Sequence, residues 1–298
     1  MWRIISEMGT LEKKDKYAYK LIAPGVMILF LVLIVPLLFS LYISLFKWSL
    51  IGTEAKHFIG LKNFIKVLTD SEVLHSLKVT GIYVGFSVVI QFILGLGIAL
   101  VLNRPFKGCN TIRVISLIPM MISPTVIALI WRVILHSENG VLNYVLILLG
   151  FEPKVWLASR LALPVLICIE IWIFTPFFIL MILAGLQSVP QEIIEASLVD
   201  GANWWQRLTK ITLPMIGPVI MVALIFRTMF ALRNFPLPWV LTAGGPGNAT
   251  NVVAIELYKR AFRYYTLGEA SSVSWILVII TAIISVIYIK IMARESVS

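Results

Sequence analysis

Long apolar runs alternate with shorter polar stretches along this chain, and the apolar runs have the length of membrane spans. A helix needs about 20 consecutive apolar residues to cross the hydrocarbon core. Residues 21–46 hold no charge and form the clearest run. It is too long for the apolar part of a signal peptide, and no A-x-A site follows. Further runs cover 79–102, 112–135 (Arg113 and Arg132 near its ends), 161–186 (Glu170 inside), 211–235 (Arg227 inside) and 273–292. The short alternating segments of a membrane barrel are absent. The pattern predicts an all-α polytopic membrane protein with six transmembrane helices. Its N-terminal segment (1–20) and its tail (293–298) then share one face.

Composition narrows the class. Charged residues make up 13% of the 298 and apolar types 59%, against about 25% charged in soluble domains. That much apolar surface cannot be hidden inside a soluble globule of this length. A soluble enzyme and a nucleic-acid binder are thereby excluded. The net charge of +10 reads as basic loops facing the cytoplasm or anionic lipid. Cys109 and Cys168 imply no disulfide framework, and His57, His75 and His136 form no metal motif. Lys and Arg are denser on the face holding 1–20, 103–113, 187–210 and the tail, although the basic loop 47–78 opposes that orientation. Gly81 and Gly85 form G-x-x-x-G, expected to pack against a helix of the same chain. Prolines 36, 119, 124, 164, 176, 214 and 218 sit in or beside spans, where neighbours can satisfy freed carbonyls.

Residues 187–218 read QSVPQEIIEASLVDGANWWQRLTKITLPMIGP. Ser188-x-x-Gln191 suggests a capping box for a helix running to about Val199. Gly201 offers a turn with positive φ. Asn203-x-x-Gln206 caps a second helix that feeds the fifth span. The result is a helix–Gly–helix knuckle projecting from the bilayer.

EAS-x-x-DGA followed by ITLP resembles the EAA loop of ABC-importer permeases. Ser197 replaces an alanine there, and Leu208 stands where an aromatic is frequent. Gly60-Leu-Lys-Asn-Phe64, the stretch from Ile118 to Arg132 with Gly140 and Asn143, and Leu241 to Thr250 (LT-x-GGP-x-x-x-T) are similar to the carbohydrate-uptake branch, as are Tyr258, Phe262 and Gly268–Ser272. The branch includes maltose and glycerol-3-phosphate systems, and the resemblance covers roughly residues 20–292. Because it lacks the large insertion of the maltose-type subunit, the chain looks more like the compact types. The resemblance implies a type I permease fold in a bacterial inner membrane, with both termini cytoplasmic. It implies an ATPase-coupling loop at 187–210, with Glu195, Ala196, Ser197, Asp200, Gly201 and Ala202 at the contact. It also implies a second homologous permease, two ATPase subunits that use ATP and Mg, and an extracytoplasmic solute-binding protein. No phosphate-binding G-x-x-x-x-G-K-[ST] occurs in this chain, which should bind no cofactor and catalyse nothing by itself.

A charged residue inside a span costs at least ~2.5 kcal/mol and marks a functional site by default. Glu170 lies about 14 Å from the outer end of its span and Arg227 about 12 Å, at 1.5 Å per residue. The two can meet, either to neutralise each other or to bind substrate. By resemblance to the maltose-type subunit, sugar contacts fall on Glu170, Trp172, Ile173, Phe174 and Phe177, and on Arg227, Phe230 and Asn234. Glu170, Phe174 and Arg227 depart from the family pattern, so an acidic oligosaccharide is admitted beside neutral ones. A self-contained secondary transporter with Glu170 as proton relay is the alternative, but internal repeats are missing. A membrane-embedded enzyme would need a nucleophile or metal cluster, which the sequence lacks.

Overall fold

The computed structural model describes residues 20–51, 56–158 and 160–295, with side chains to 292. The expected N-terminal segment therefore lies outside the described residues except for Lys20, as does 296–298 of the tail. Among the described residues, five helices are long and apolar enough to span a membrane, or six if one bent pair counts as a span. The described chain divides into two compact units, one from residues within 1–67 and 260–275, the other from 68–259 and 276–298.

The first unit opens with α1, Lys20–Ser44. Its side chains are apolar all round, and almost all are exposed. Pro36 cannot donate a backbone bond, and the helix widens just before it. Residues Phe30–Ile34 form a π turn in which Val35 N bonds Phe30 O. A small antiparallel pair follows, β1 (Phe46–Lys47) with β2 (His57–Phe58), then α2 (Lys62–Thr69). The carbonyl end of α1 is closed by Asn63, whose Nδ2 donates to Ser44 O and to Phe46 O, both at 2.8 Å. Ser272 Oγ adds a bond to Ser44 O. A Cβ on Gly268 would collide with Phe46 O and lie 2.8 Å from Asn63 Nδ2. These contacts are the physical content of the Gly60–Phe64 and Gly268–Ser272 resemblances. Glu269 bonds Lys66 and Arg260 nearby.

The second unit is built on α3, Ser71–Leu102, whose first turn is capped by Asp70 accepting from Glu72 N. It lies along α7, Ala162–Gln187. A Cβ on Gly95 would fall on the Cβ of Phe178, so glycine sets this helix spacing. Gly81 and Gly85 do not serve that purpose. A Cβ on either meets nothing within 4 Å, so the expected packing of G-x-x-x-G within the chain does not occur among the described residues.

The run at 112–135 is not one straight helix. It forms α4 (Cys109–Met121) and α5 (Pro124–Ile134), which meet at 90°. Pro124 holds Ser123 in extended conformation (φ −56°, ψ 130°), which ends the helix before it. After α6 (Val141–Leu148), Asn143 organises the loop to α7. Its amide donates to Ser137 O and Lys154 O, and its oxygen accepts from Lys154 N and Trp156 Nε1. Beyond α7 come α8 (Gln191–Val199) and α9 (Trp204–Leu232). The knuckle's second helix and the fifth span are thus one helix, with a π turn at Leu208–Thr212 just ahead of Pro214. α10 (Pro236–Thr242), α11 (Val253–Phe262) and α12 (Leu267–Glu295) complete the chain. In the loop after α10, Thr250 Oγ1 lies 2.6 Å from Thr242 Oγ1 and donates to Gly245 O, which accounts for the two threonines of LT-x-GGP-x-x-x-T.

Candidate functional site

Three helices of the second unit bring polar groups together inside the membrane-spanning core. α7 supplies Glu170, α9 supplies Arg227 and α3 supplies Gln91, all 2% exposed or less. Arg227 Nη2 donates to Glu170 Oε1, and its Nε donates to Gln91 Oε1 at 2.8 Å. Gln91 Nε2 returns a bond to the backbone oxygen of Glu170 at 2.9 Å. Asn234, just past the end of α9, donates to Glu170 Oε2 at 2.9 Å and lies 3.0 Å from Tyr83 Oη. Every oxygen of the buried carboxylate is therefore engaged, as a charge in low dielectric requires. Two guanidinium nitrogens are engaged as well. No hydrogen-bond partner holds Arg227 Nη1 among the described residues.

One side of this cluster is aromatic. The guanidinium carbon of Arg227 sits 4.2 Å from the centroid of the Phe174 ring, a cation–π distance. Arg227, Phe174, Phe177, Phe230 and Met120 line a cavity of about 180 Å³. The fold thus unites Glu170, Phe174, Phe177, Arg227, Phe230 and Asn234. Ile173 is fully buried in the adjoining core. Trp172 stands apart: it packs edge-on against Trp131, 5.9 Å between centroids, and lines a separate apolar groove with Cys168. Gln91 and Tyr83 were not anticipated from sequence. Gln91 had a legible signal, as a strongly polar side chain in the midst of VVIQFIL.

The second arrangement is the knuckle between α7 and α9. Gly201 has φ +77° and closes α8 in a Schellman motif. Ala202 N bonds Ser197 O at 2.9 Å and Gly201 N bonds Leu198 O at 3.1 Å. Asn203 and Gln206 form a reciprocal capping box at the start of α9. Arg207 Nη1 donates to Ala202 O and ties the turn to α9. Glu195, Ala196, Asp200 and Gly201 are exposed, Ala202 is half-buried and Ser197 is buried, its Oγ bonded to Ile194 O. The expected capping box at Ser188 and Gln191 does not form. Ser188 is still helical as the last residue closing α7, with its Oγ on Gly185 O, and Pro190 takes the N-cap position of α8.

Residues 91–294 match the family described as binding-protein-dependent transport system inner membrane component. A probable ABC transporter permease of Sinorhizobium fredii is 40% identical over 264 residues, 88% of this chain and 85% of that protein. The trehalose/maltose transport system permease protein MalF of Thermococcus litoralis is 36% identical over 283 residues, 94% of each chain. Among solved structures, a bacterial ABC transporter involved in the import of the acidic polysaccharide alginate shares the fold. Its TM-score is 0.83 at 22% identity, covering 97% of this chain and 99% of that one.

Proposed function

The chain belongs to the binding-protein-dependent transport system inner membrane components, and from that membership we propose that it is one permease subunit of an ATP-driven sugar or oligosaccharide importer. It is a transport component and not an enzyme. The reading is carried by one observation: α7 and α9, which hold the buried Glu170–Arg227 cluster, are the helices joined by the exposed knuckle. A force applied at Gly201 is transmitted along both to the cluster. The knuckle is the coupling surface for an ATPase, through Glu195, Ala196, Ser197, Asp200, Gly201 and Ala202. It lies on the cytoplasmic side, together with both termini.

The cavity beside Arg227 has the chemistry of a sugar subsite. Phe174, Phe177 and Phe230 offer ring faces to pyranose C–H surfaces, and Arg227 Nη1 offers a donor to a hydroxyl. Gln91 and Glu170 position that guanidinium, and Asn234, bonded to the other oxygen of Glu170, closes the polar side of the path. The relative from Thermococcus litoralis carries a trehalose/maltose name at nearly the same length, so a compact chain is compatible with a disaccharide. Partners in this reading are a second permease, two ATPase copies that bind ATP and Mg, and a secreted solute-binding protein. Purification of the tagged chain from its own membranes tests it. A second permease and an ATPase should elute with it, and ATPase activity should rise with a loaded binding protein. Elution of a lone chain that transports sugar on a proton gradient would instead establish the secondary-transporter alternative.

A further inference from the structure

A second cavity, of about 550 Å³, lies where the ends of α3 and α7 meet α8 and the start of α9. Its floor is apolar, with Gly97 and Leu100 from α3 and Ile194 from α8. Its rim carries Arg104, Trp204 and Arg207, and no acidic side chain lines it. Neither arginine meets a carboxylate among the described residues. Arg207 spends one donor on Ala202 O, and the Arg104 side chain has no bonded partner there. A site that joins an apolar floor to guanidinium groups without a carboxylate partner, at the end of membrane-spanning helices, is complementary to one class of molecule. We propose that this groove binds an anionic phospholipid, with its phosphate between Arg104 and Arg207 and an acyl chain along the Gly97–Leu100 face of α3.

Charge complementarity selects the headgroup. Basic pockets between helices on the cytoplasmic side hold anionic lipid headgroups, each Lys or Arg contributing about fivefold in binding. The apolar floor selects a lipid over a free phosphate ion, which would gain nothing from Gly97, Leu100 and Ile194. Trp204, 47% exposed at the rim, suits the boundary between headgroup and chain. The site also bears on coupling, because Arg207 holds the carbonyl of Ala202 in the knuckle. A lipid phosphate on Arg207 therefore sits one residue's contact from the Gly201 turn. The placement on the cytoplasmic leaflet rests on the topology proposed above.

The test uses the full chain purified with its partner subunits and exchanged into detergent. Bound lipid is read by native mass spectrometry after addition of phosphatidylglycerol or phosphatidylcholine. Phosphatidylglycerol should be retained in preference, and Arg104→Gln should lower its retention about fivefold. Gly97→Leu leaves the charge unchanged and projects into the cavity that Gly97 lines, where a Cβ at this position meets nothing within 4 Å. It should also displace the lipid, which mere surface attraction would not predict. Unchanged size-exclusion profiles show that both variants assemble. Equal retention of the two lipids by the parent protein, or undiminished retention in both variants, overturns the proposal. Asn103→Cys in a Cys168→Ser background, labelled by an impermeant maleimide in intact cells, checks the topology separately, since the native Cys168 is exposed. Labelling from outside would refute the cytoplasmic placement without altering retention in detergent.

Discussion

Glu170 and Trp172 lie on opposite faces of α7, Glu170 sealed against Arg227 and Trp172 packed on Trp131. Two residues along a helix turn by about 200° at 3.6 residues per turn, so both cannot line one path. Phe174 and Phe177, four and seven residues on from Glu170, return to its face. Phe177→Ala should therefore weaken transport of sugar while Trp172→Ala should not. An aromatic contact is worth about 0.5–1.5 kcal/mol beyond its buried area, or about two- to twelvefold in half-saturation. Uptake measured against sugar concentration for the two variants decides it, and equal effects would return Trp172 to the path.

The cluster around Glu170 makes a prediction about single and double changes. Removal of one partner of a buried ion pair strands the other, at a cost of about 3–5 kcal/mol. Glu170→Gln or Arg227→Gln alone should lower the thermal unfolding midpoint of the purified protein markedly. The double variant should recover much of that loss, since Gln91 and Asn234 can hydrogen-bond neutral amides. If the pair also serves substrate, the recovered double variant will assemble and yet fail to transport. A double variant with full uptake would reduce the pair to a structural role.

Much of this was legible in the sequence, for identifiable reasons. Runs of about 20 apolar residues have few folded fates other than a span. Gly201 with Asn203 and Gln206 encodes its turn and cap locally, within six residues. The right-angle break between α4 and α5 was not legible, because proline in a membrane run is often absorbed as a kink, and here Ser123–Pro124 ends the helix instead. Gln91 escaped notice because its role depends on which face of α3 meets α7, a tertiary fact fixed by Gly95 and Phe178. Ser188 misled for a similar reason: it is the C-cap of α7, so its hydroxyl closes one helix and does not open the next.

The glycines of α3 should separate cleanly by substitution. Gly95→Ala puts a methyl on Phe178 Cβ, and overpacking of this kind costs about 1–3 kcal/mol. Gly85→Ala meets open space, so the isolated chain should lose no stability and gain up to about 1 kcal/mol from the better helix former. Thermal unfolding of the chain in detergent compares them. A larger loss for Gly85→Ala than for Gly95→Ala would contradict the packing of α3 on α7.

The knuckle should fail by backbone strain and not by loss of a contact. At φ +77° a β-branched side chain is strained by about 1–3 kcal/mol, whereas asparagine tolerates the left-handed region. Gly201→Val should insert into the membrane normally but lose binding-protein-stimulated ATP hydrolysis and uptake. Gly201→Asn should keep most of both. No side chain faces Gly201 within 4 Å, so steric collision within the chain would not explain a difference between the two. Vesicles that transport equally well with valine and asparagine would exclude the turn from coupling.

The charge of the substrate follows from the arithmetic of the cluster. Arg227 is the cation of the path, and Glu170 bonds it directly, so the pair is neutral before any ligand arrives. A carboxylate entering the cavity would meet Nη1 of a guanidinium already shared with Glu170 and would stand near a like charge. A hydroxyl meets the same nitrogen with no such repulsion. Charge-assisted hydrogen bonds are roughly twice as strong as neutral ones, so a uronate would be favoured only if Glu170 gave up its hold on Arg227. Neutral oligosaccharides should therefore stimulate ATP hydrolysis by the assembled importer more than uronate oligosaccharides of equal length, each presented with the loaded binding protein. Glu170→Gln should shift that preference toward the uronate, because it removes the repelling charge and frees the arginine. Stronger stimulation by uronates in the parent protein would mean that Glu170 does not cancel Arg227, and no shift in the variant would place substrate discrimination elsewhere in the path.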